Sequence, residues 1–174
     1  MVQVYNTLID ALTGQVKHEQ ALEIVELGLK RHPEFVPLRN RLGIVLSNLK
    51  RYADAIEQYR AILNDSDGYF PSRLNLAGVY SQTGEHAKSM EQYEITLDAK
   101  EMRADYFSGY VFSHLYDPEA STERILELSR QWETNYCSDA NPYQSWNVDL
   151  DAGSPLRIGI VSGDFRNHPV GFFL

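Results

Sequence analysis

The chain carries one cysteine, Cys137, in 174 residues, so no intrachain disulfide can form. That excludes a disulfide-stapled scaffold and fits a reducing compartment. No run of eighteen apolar residues occurs, which excludes a helix that crosses a bilayer. The opening residues Met1-Val2-Gln3-Val4-Tyr5-Asn6 lack the basic and apolar blocks of a signal peptide, and the expected location is the cytoplasm. Basic charge is scarce: 16 Lys and Arg stand against 24 Asp and Glu, a net charge of −8. Residues 1–103 contribute −2, residues 104–155 contribute −7 and residues 156–174 contribute +1. No segment is strongly basic, which argues against a nucleic-acid partner. The acidic middle reads as a solvated face, with a basic partner groove as the alternative. There is no P-loop and no G-x-G-x-x-G, so no phosphate cradle is visible.

What is present is a repeat. Leu8, Leu42 and Leu76 are separated by 34 residues each, as are Leu12, Leu46 and Tyr80, and again Val25, Tyr59 and Tyr93. Ala21, Ala55 and Ser89 keep the same spacing. A 34-residue helix–turn–helix period is that of the tetratricopeptide repeat. The residue types follow from the packing it requires. Gly43 and Ala77 are expected where the two helices of a repeat approach, with Ala21, Ala55 and Ser89 as their small counterparts. Large residues such as Tyr59 and Tyr93 are expected between neighbouring repeats. Gly84 suits the left-handed turn between helices, whereas Val16 and Lys50 hold the same place in the other two repeats. Ile9 stands where a small residue is usual, and Asp67 replaces the closing proline that Pro33 supplies in repeat one. A repeat buries its apolar face only against its neighbours, so about three repeats are the minimum for a stable stack.

After the repeats, Tyr106 to Leu115 reads as a helix broken by Asp117-Pro118. Ser121 is the expected N-cap of a further helix, with Ile125, Leu128 and Trp132 at helical spacing and an end near Tyr136. Ser138 to Pro155 contains Asn141-Pro142, Gly153 and Pro155 and reads as a linker. Ile158, Ile160 and Val161 then make a short β-rich run suited to a buried parallel strand. The loop Ser162 to Pro169 follows it, at the end of the strand where open α/β sheets bind ligands. His168 in that loop could accept a proton from an attacking hydroxyl; alternatively it caps or packs the next helix. Asp164 and Asn167 could bind substrate or satisfy loop backbone donors. His18, His32, His86 and His114 show no ligand spacing with a carboxylate or thiol, so no metal site is expected.

The repeats, the segment Tyr116-Asp117-Pro118 with Ser121, Trp132 and Tyr136, and the run Leu156-Arg157-Ile158-Gly159-Ile160-Val161-Ser162 with Asp164-Phe165-Arg166-Asn167-His168-Pro169-Val170-Gly171 occur in that order. Together they resemble the O-GlcNAc transferases of bacterial type, glycosyltransferase family 41. The resemblance implies a mostly α chain: a tetratricopeptide superhelix, a helical connector, and the truncated start of an α/β domain of GT-B, Rossmann-like kind. It divides the chain into three repeats over 1–103 (about 2–35, 36–69 and 70–103), a connector over 104–137, a linker over 138–155 and the beginning of a catalytic domain over 156–174. It implies transfer of a sugar from a nucleotide-sugar donor, UDP-GlcNAc for the full-length protein, to a protein Ser or Thr hydroxyl with inversion. His168 matches the histidine proposed there as general base. The 174 residues alone are expected to be inactive and to hold no cofactor. In that family asparagines just before the Leu-Gly position grip the target backbone. Asn75 matches one of them, while Thr7 and Arg41 occupy the equivalent places. The expected partner is a protein or peptide in the repeat groove. The alternative is a stand-alone tetratricopeptide adaptor that binds a partner and does no chemistry.

Overall fold

The computed structural model describes residues 2–66, 68–97 and 102–138. They form α1 (Val2–Gly14), α2 (His18–Arg31), α3 (Val36–Asn48), α4 (Tyr52–Asp65), α5 (Phe70–Gln82), α6 (His86–Glu94), α7 (Ala104–His114) and α8 (Thr122–Tyr136). The buried residues explain the helices. Ala21, Val25 and Gly28 of α2, and Ala55, Tyr59 and Ile62 of α4, recur at the spacing that lines one helix face. Pro37 and Pro71 sit in the first turns of α3 and α5, where the missing N–H costs nothing. Ser121 caps α8 as its sequence suggested, its hydroxyl accepting from the Arg124 N–H at 3.1 Å.

The helices pack as antiparallel pairs: α1 with α2, α3 with α4, α5 with α6, and α7 with α8. The first helices of successive pairs also touch one another, α1 with α3, α3 with α5 and α5 with α7, whereas no second helix touches the next second helix. A stack that is close on one side and splayed on the other must curve. The first helices therefore line its inner face, and the fold is a tetratricopeptide-type helical superhelix. Pair α7–α8 continues it, with Phe107, Tyr110 and Leu128 sharing a core with Leu74, Ala77 and Tyr93. Trp132 Nε1 donates to the Ala104 carbonyl at 3.0 Å and Tyr136 to the Met102 carbonyl at 3.1 Å, pinning α8 to the start of α7.

Two glycines set helix spacing. A Cβ on Gly43 would fall 2.6 Å from Tyr59 Cζ, so the ring of α4 lies directly on the α3 backbone of its own repeat. It also joins Leu76, Val79 and Tyr80 of the next repeat, so Tyr59 fills both spaces. At the equivalent place in repeat three stands Ala77, which has a Cβ. There Tyr93 reaches the following pair, and a Cβ on Gly109 of α7 would fall 2.5 Å from its hydroxyl.

The turns inside the pairs are the same despite different residues. Val16, Lys50 and Gly84 all adopt positive φ, at 61°, 62° and 80°. In each, the next N–H reaches back to the fifth carbonyl before it: Lys17 to Leu12 at 2.9 Å, Arg51 to Leu46 at 2.9 Å and Glu85 to Tyr80 at 2.8 Å. Repeat packing holds a left-handed residue that costs about 1–2 kcal/mol when it has a Cβ. Val16 is 73% exposed, so its side chain contributes little in return. Val16→Gly is expected to stabilise the protein by about 1 kcal/mol after the extra chain entropy of glycine is deducted, and Lys50→Gly by somewhat less. Urea denaturation measures this, and a Val16→Gly protein no more stable than the parent would show that the turn is unstrained.

Candidate functional site

The inner face carries a groove of about 200 Å³. Helix α3 contributes Ile44, Ser47 and Asn48; α5 contributes Asn75, Gly78 and Gln82. Tyr59 and Tyr93 reach it from the second helices, and Tyr106 from α7. Among the described residues no charged side chain lines it. Burial, with Tyr106 nearby, pushes the Tyr59 phenol far above its ordinary range. Burial first, then Tyr106 and Asp105, pushes Tyr93 up to about 12. Burial likewise raises Tyr106. All three phenols therefore stay neutral at physiological pH, each a potential donor and acceptor.

Asn75, the residue the resemblance implies grips a target, lies among the groove-lining residues. Its Nδ2 donates to Asn40 Oδ1 at 3.1 Å, and that oxygen also accepts from the Ser72 hydroxyl at 2.9 Å. Asn40 is only 7% exposed, so it is a buried strut joining α3 to α5. Arg41, at the matching position of repeat two, is engaged with Asn6 at 3.1 Å and with Asp10. The side chains of Asn48 and Gln82, by contrast, have no hydrogen bond among the described residues. The sequence held a signal for this pair: they are separated by 34 residues, one repeat. Gly78 and Tyr106 carried no comparable signal.

Other concavities lie among the described residues, one of them, about 250 Å³, lined by Pro71, Leu74, Arg103 and Tyr106. A more apolar one of about 380 Å³ lies between α7 and α8, lined by Val111, Phe112, Leu115 and Trp132 among others. One of about 260 Å³ includes Arg60, Tyr80 and Lys88, with Arg60 Nε donating to the Tyr80 hydroxyl at 3.1 Å and Lys88 paired with Glu85. The Lys88 ammonium holds the Glu85 carboxyl below its ordinary range. His86 stacks on Tyr116 with ring centroids 4.1 Å apart, and His114 Nδ1 lies 2.7 Å from Met90 Sδ, so both pack rather than point at a cavity. His168, Asp164 and Asn167, with the expected strand and loop and the linker beyond Ser138, lie outside the described residues. Among the described residues no three His, Cys, Asp or Glu side chains converge as a metal site would need, and no helix is long and apolar enough to cross a membrane.

A 34-residue period, paired helices and a groove on the curve's inner face define a tetratricopeptide-type helical repeat protein. No family model matches the chain. Over 59 residues it is 34% identical to the probable UDP-N-acetylglucosamine–peptide N-acetylglucosaminyltransferase SPINDLY of Hordeum vulgare, a stretch that is 34% of this chain and 6% of that protein. A mutant O-GlcNAc transferase of Thermobaculum terrenum superposes with a TM-score of 0.83 at 21% identity, over 99% of this chain and 33% of its own. MamA of Desulfovibrio magneticus RS-1 gives 0.65 at 15% identity, over 76% and 74%. YrrB, described as a TPR protein with an unusual peptide-binding site, gives 0.61 at 16% identity, over 77% and 68%. At these identities the structural likenesses establish the fold. The chain spans a small fraction of the curated relative and about a third of the Thermobaculum protein.

Proposed function

We propose that the repeat stack binds polypeptide in its inner groove and serves as the recognition part of a protein glycosyltransferase of O-GlcNAc transferase type. The groove carries this reading: among the described residues it has no charged lining, and it offers the side-chain amides of Asn48 and Gln82, which make no hydrogen bond to the described residues. The sequence order of repeats over 1–103, connector over 104–137, linker over 138–155 and catalytic beginning over 156–174 supports the enzymatic half. In that reading His168 takes the proton of the acceptor Ser or Thr hydroxyl as its oxygen bonds to the anomeric carbon of UDP-GlcNAc and UDP leaves. Asp164 and Asn167 hold substrate nearby, and Asn75 meets the acceptor polypeptide in the groove. A stand-alone adaptor is the second reading, favoured by the described lining of the groove falling within residues 44–106, in the repeats and the first connector helix.

The test compares the whole gene product with residues 1–174. The whole product is expected to transfer labelled GlcNAc from UDP-GlcNAc to an acceptor peptide. Residues 1–174 should bind that peptide and transfer nothing. His168→Ala should slow transfer without weakening peptide binding. Peptide binding by a whole product that neither binds UDP nor transfers sugar would favour the adaptor. Absence of any peptide binding would defeat both readings.

A further inference from the structure

Gly78 stands inside α5, and beyond its own helix no described residue lies within 4 Å of where its Cβ would be. A glycine within a helix is destabilising relative to alanine. Two usual reasons for tolerating one do not apply. Gly43 and Gly109 make room for Tyr59 and Tyr93, whereas no other described part of the protein comes within 4 Å of a Cβ on Gly78. Gly84 adopts positive φ, whereas Gly78 does not. What Gly78 does do is line the inner groove, one turn after Asn75 and one turn before Gln82, with Ser47 and Asn48 lining it from α3. A helix bare of a Cβ at one point lets another backbone lie directly on it.

We propose that the groove takes an uncharged stretch of extended polypeptide whose main chain lies on Gly78, held by the amides of Asn48 and Gln82. This deepens the groove-binding reading and rests on it. Among the described residues no charged side chain lines the groove, so a charge desolvated against that lining would find no counter-ion there, and the ligand segment is uncharged. The small volume makes it extended: a helix, about 10–12 Å across, does not fit about 200 Å³. Asn48 and Gln82 stand one repeat apart on adjacent inner helices. An extended chain at about 3.3 Å per residue crosses such a helix spacing, about 8–10 Å, in roughly three residues.

The inference has a sign that a structural role would not produce. Gly78→Ala should make the protein more stable, by a few degrees in Tm, because the helix improves and nothing clashes. The same change should weaken ligand binding about tenfold, since the methyl occupies the ligand's place. The probe is the tightest peptide selected from a random library of about twelve residues against residues 1–174, titrated by fluorescence anisotropy at low and high salt. Near-equal affinity at both salts is expected. Wild-type affinity in Gly78→Ala, with weakening in Asn48→Ala and Gln82→Ala, would overturn the placement on Gly78 and leave groove binding intact. A steep salt dependence would overturn the uncharged ligand. A library that yields no peptide, or one whose binding none of the three substitutions alters, would overturn groove binding and this inference together.

Discussion

Tyr59→Ala is expected to destabilise the protein by about 3–5 kcal/mol, the range for deleting a large buried ring. Tyr59 is 1% exposed and belongs to a core drawn from α3, α4 and α5. The residue facing it is Gly43, which has no side chain to move into the space, so the void relaxes little. In a repeat stack stability is a sum of local terms and nearest-neighbour interfaces, and Tyr59 serves both. Its loss should therefore also broaden the urea transition as the first repeats separate from the rest. A cost below about 1 kcal/mol would show that the ring does not hold α3 against α4. Gly43→Ala attacks the same contact from the other side and should cost about 1–3 kcal/mol by overpacking. Because the two residues touch, Gly43→Ala combined with Tyr59→Leu should cost less than the two single changes added together.

Phe107→Ala is expected to have an effect of similar size, about 3–5 kcal/mol. Phe107 is 2% exposed and meets Tyr110 and Tyr136 edge-on at 5.9 and 6.0 Å between centroids. Edge-to-face pairs add about 0.5–1.5 kcal/mol beyond burial. The same core includes Leu74 and Ala77 of α5 and Tyr93 of α6, so it joins the last repeat to the pair α7–α8. Loss of Phe107 should consequently reduce hydrogen-exchange protection in α5 and α6 as well as in α7 and α8. Protection lost only from α7 and α8 would show that this pair is an appendage that opens by itself.

Much of this was readable in advance, for an identifiable reason. A repeat burying one face per helix must place its apolar and small residues at a fixed period, so the 34-residue spacing of Leu8, Leu42 and Leu76 discloses the pairing of helices before any coordinate. Local rules were equally visible: Ser121 as a cap, and Asp117-Pro118 as the break between α7 and α8. Gly84 announced its left-handed turn, while Val16 and Lys50 looked like departures from it. The departures proved to be in residue type alone, since the packing of neighbouring helices imposes the same backbone on all three.

The inner groove was only half legible. Asn75 stood out through the resemblance to O-GlcNAc transferases, whose asparagines precede the Leu-Gly position that Leu76-Ala77 occupies here. Asn40 lies one place before Arg41, the equivalent of Asn75, and the structure shows it as a buried acceptor for Ser72 and Asn75. Gly109 and Gly78 look alike in sequence, yet a Cβ on one would meet the Tyr93 hydroxyl, and beyond its own helix a Cβ on the other would meet no described residue within 4 Å. The amino-acid sequence by itself determined the period, the helices, their turns and the small residues that let them pair, because those follow from spacing along one chain. Only the tertiary structure decided which polar groups are spent on the fold and which remain open to a ligand. That depends on distances between helices one repeat apart, which no local pattern records.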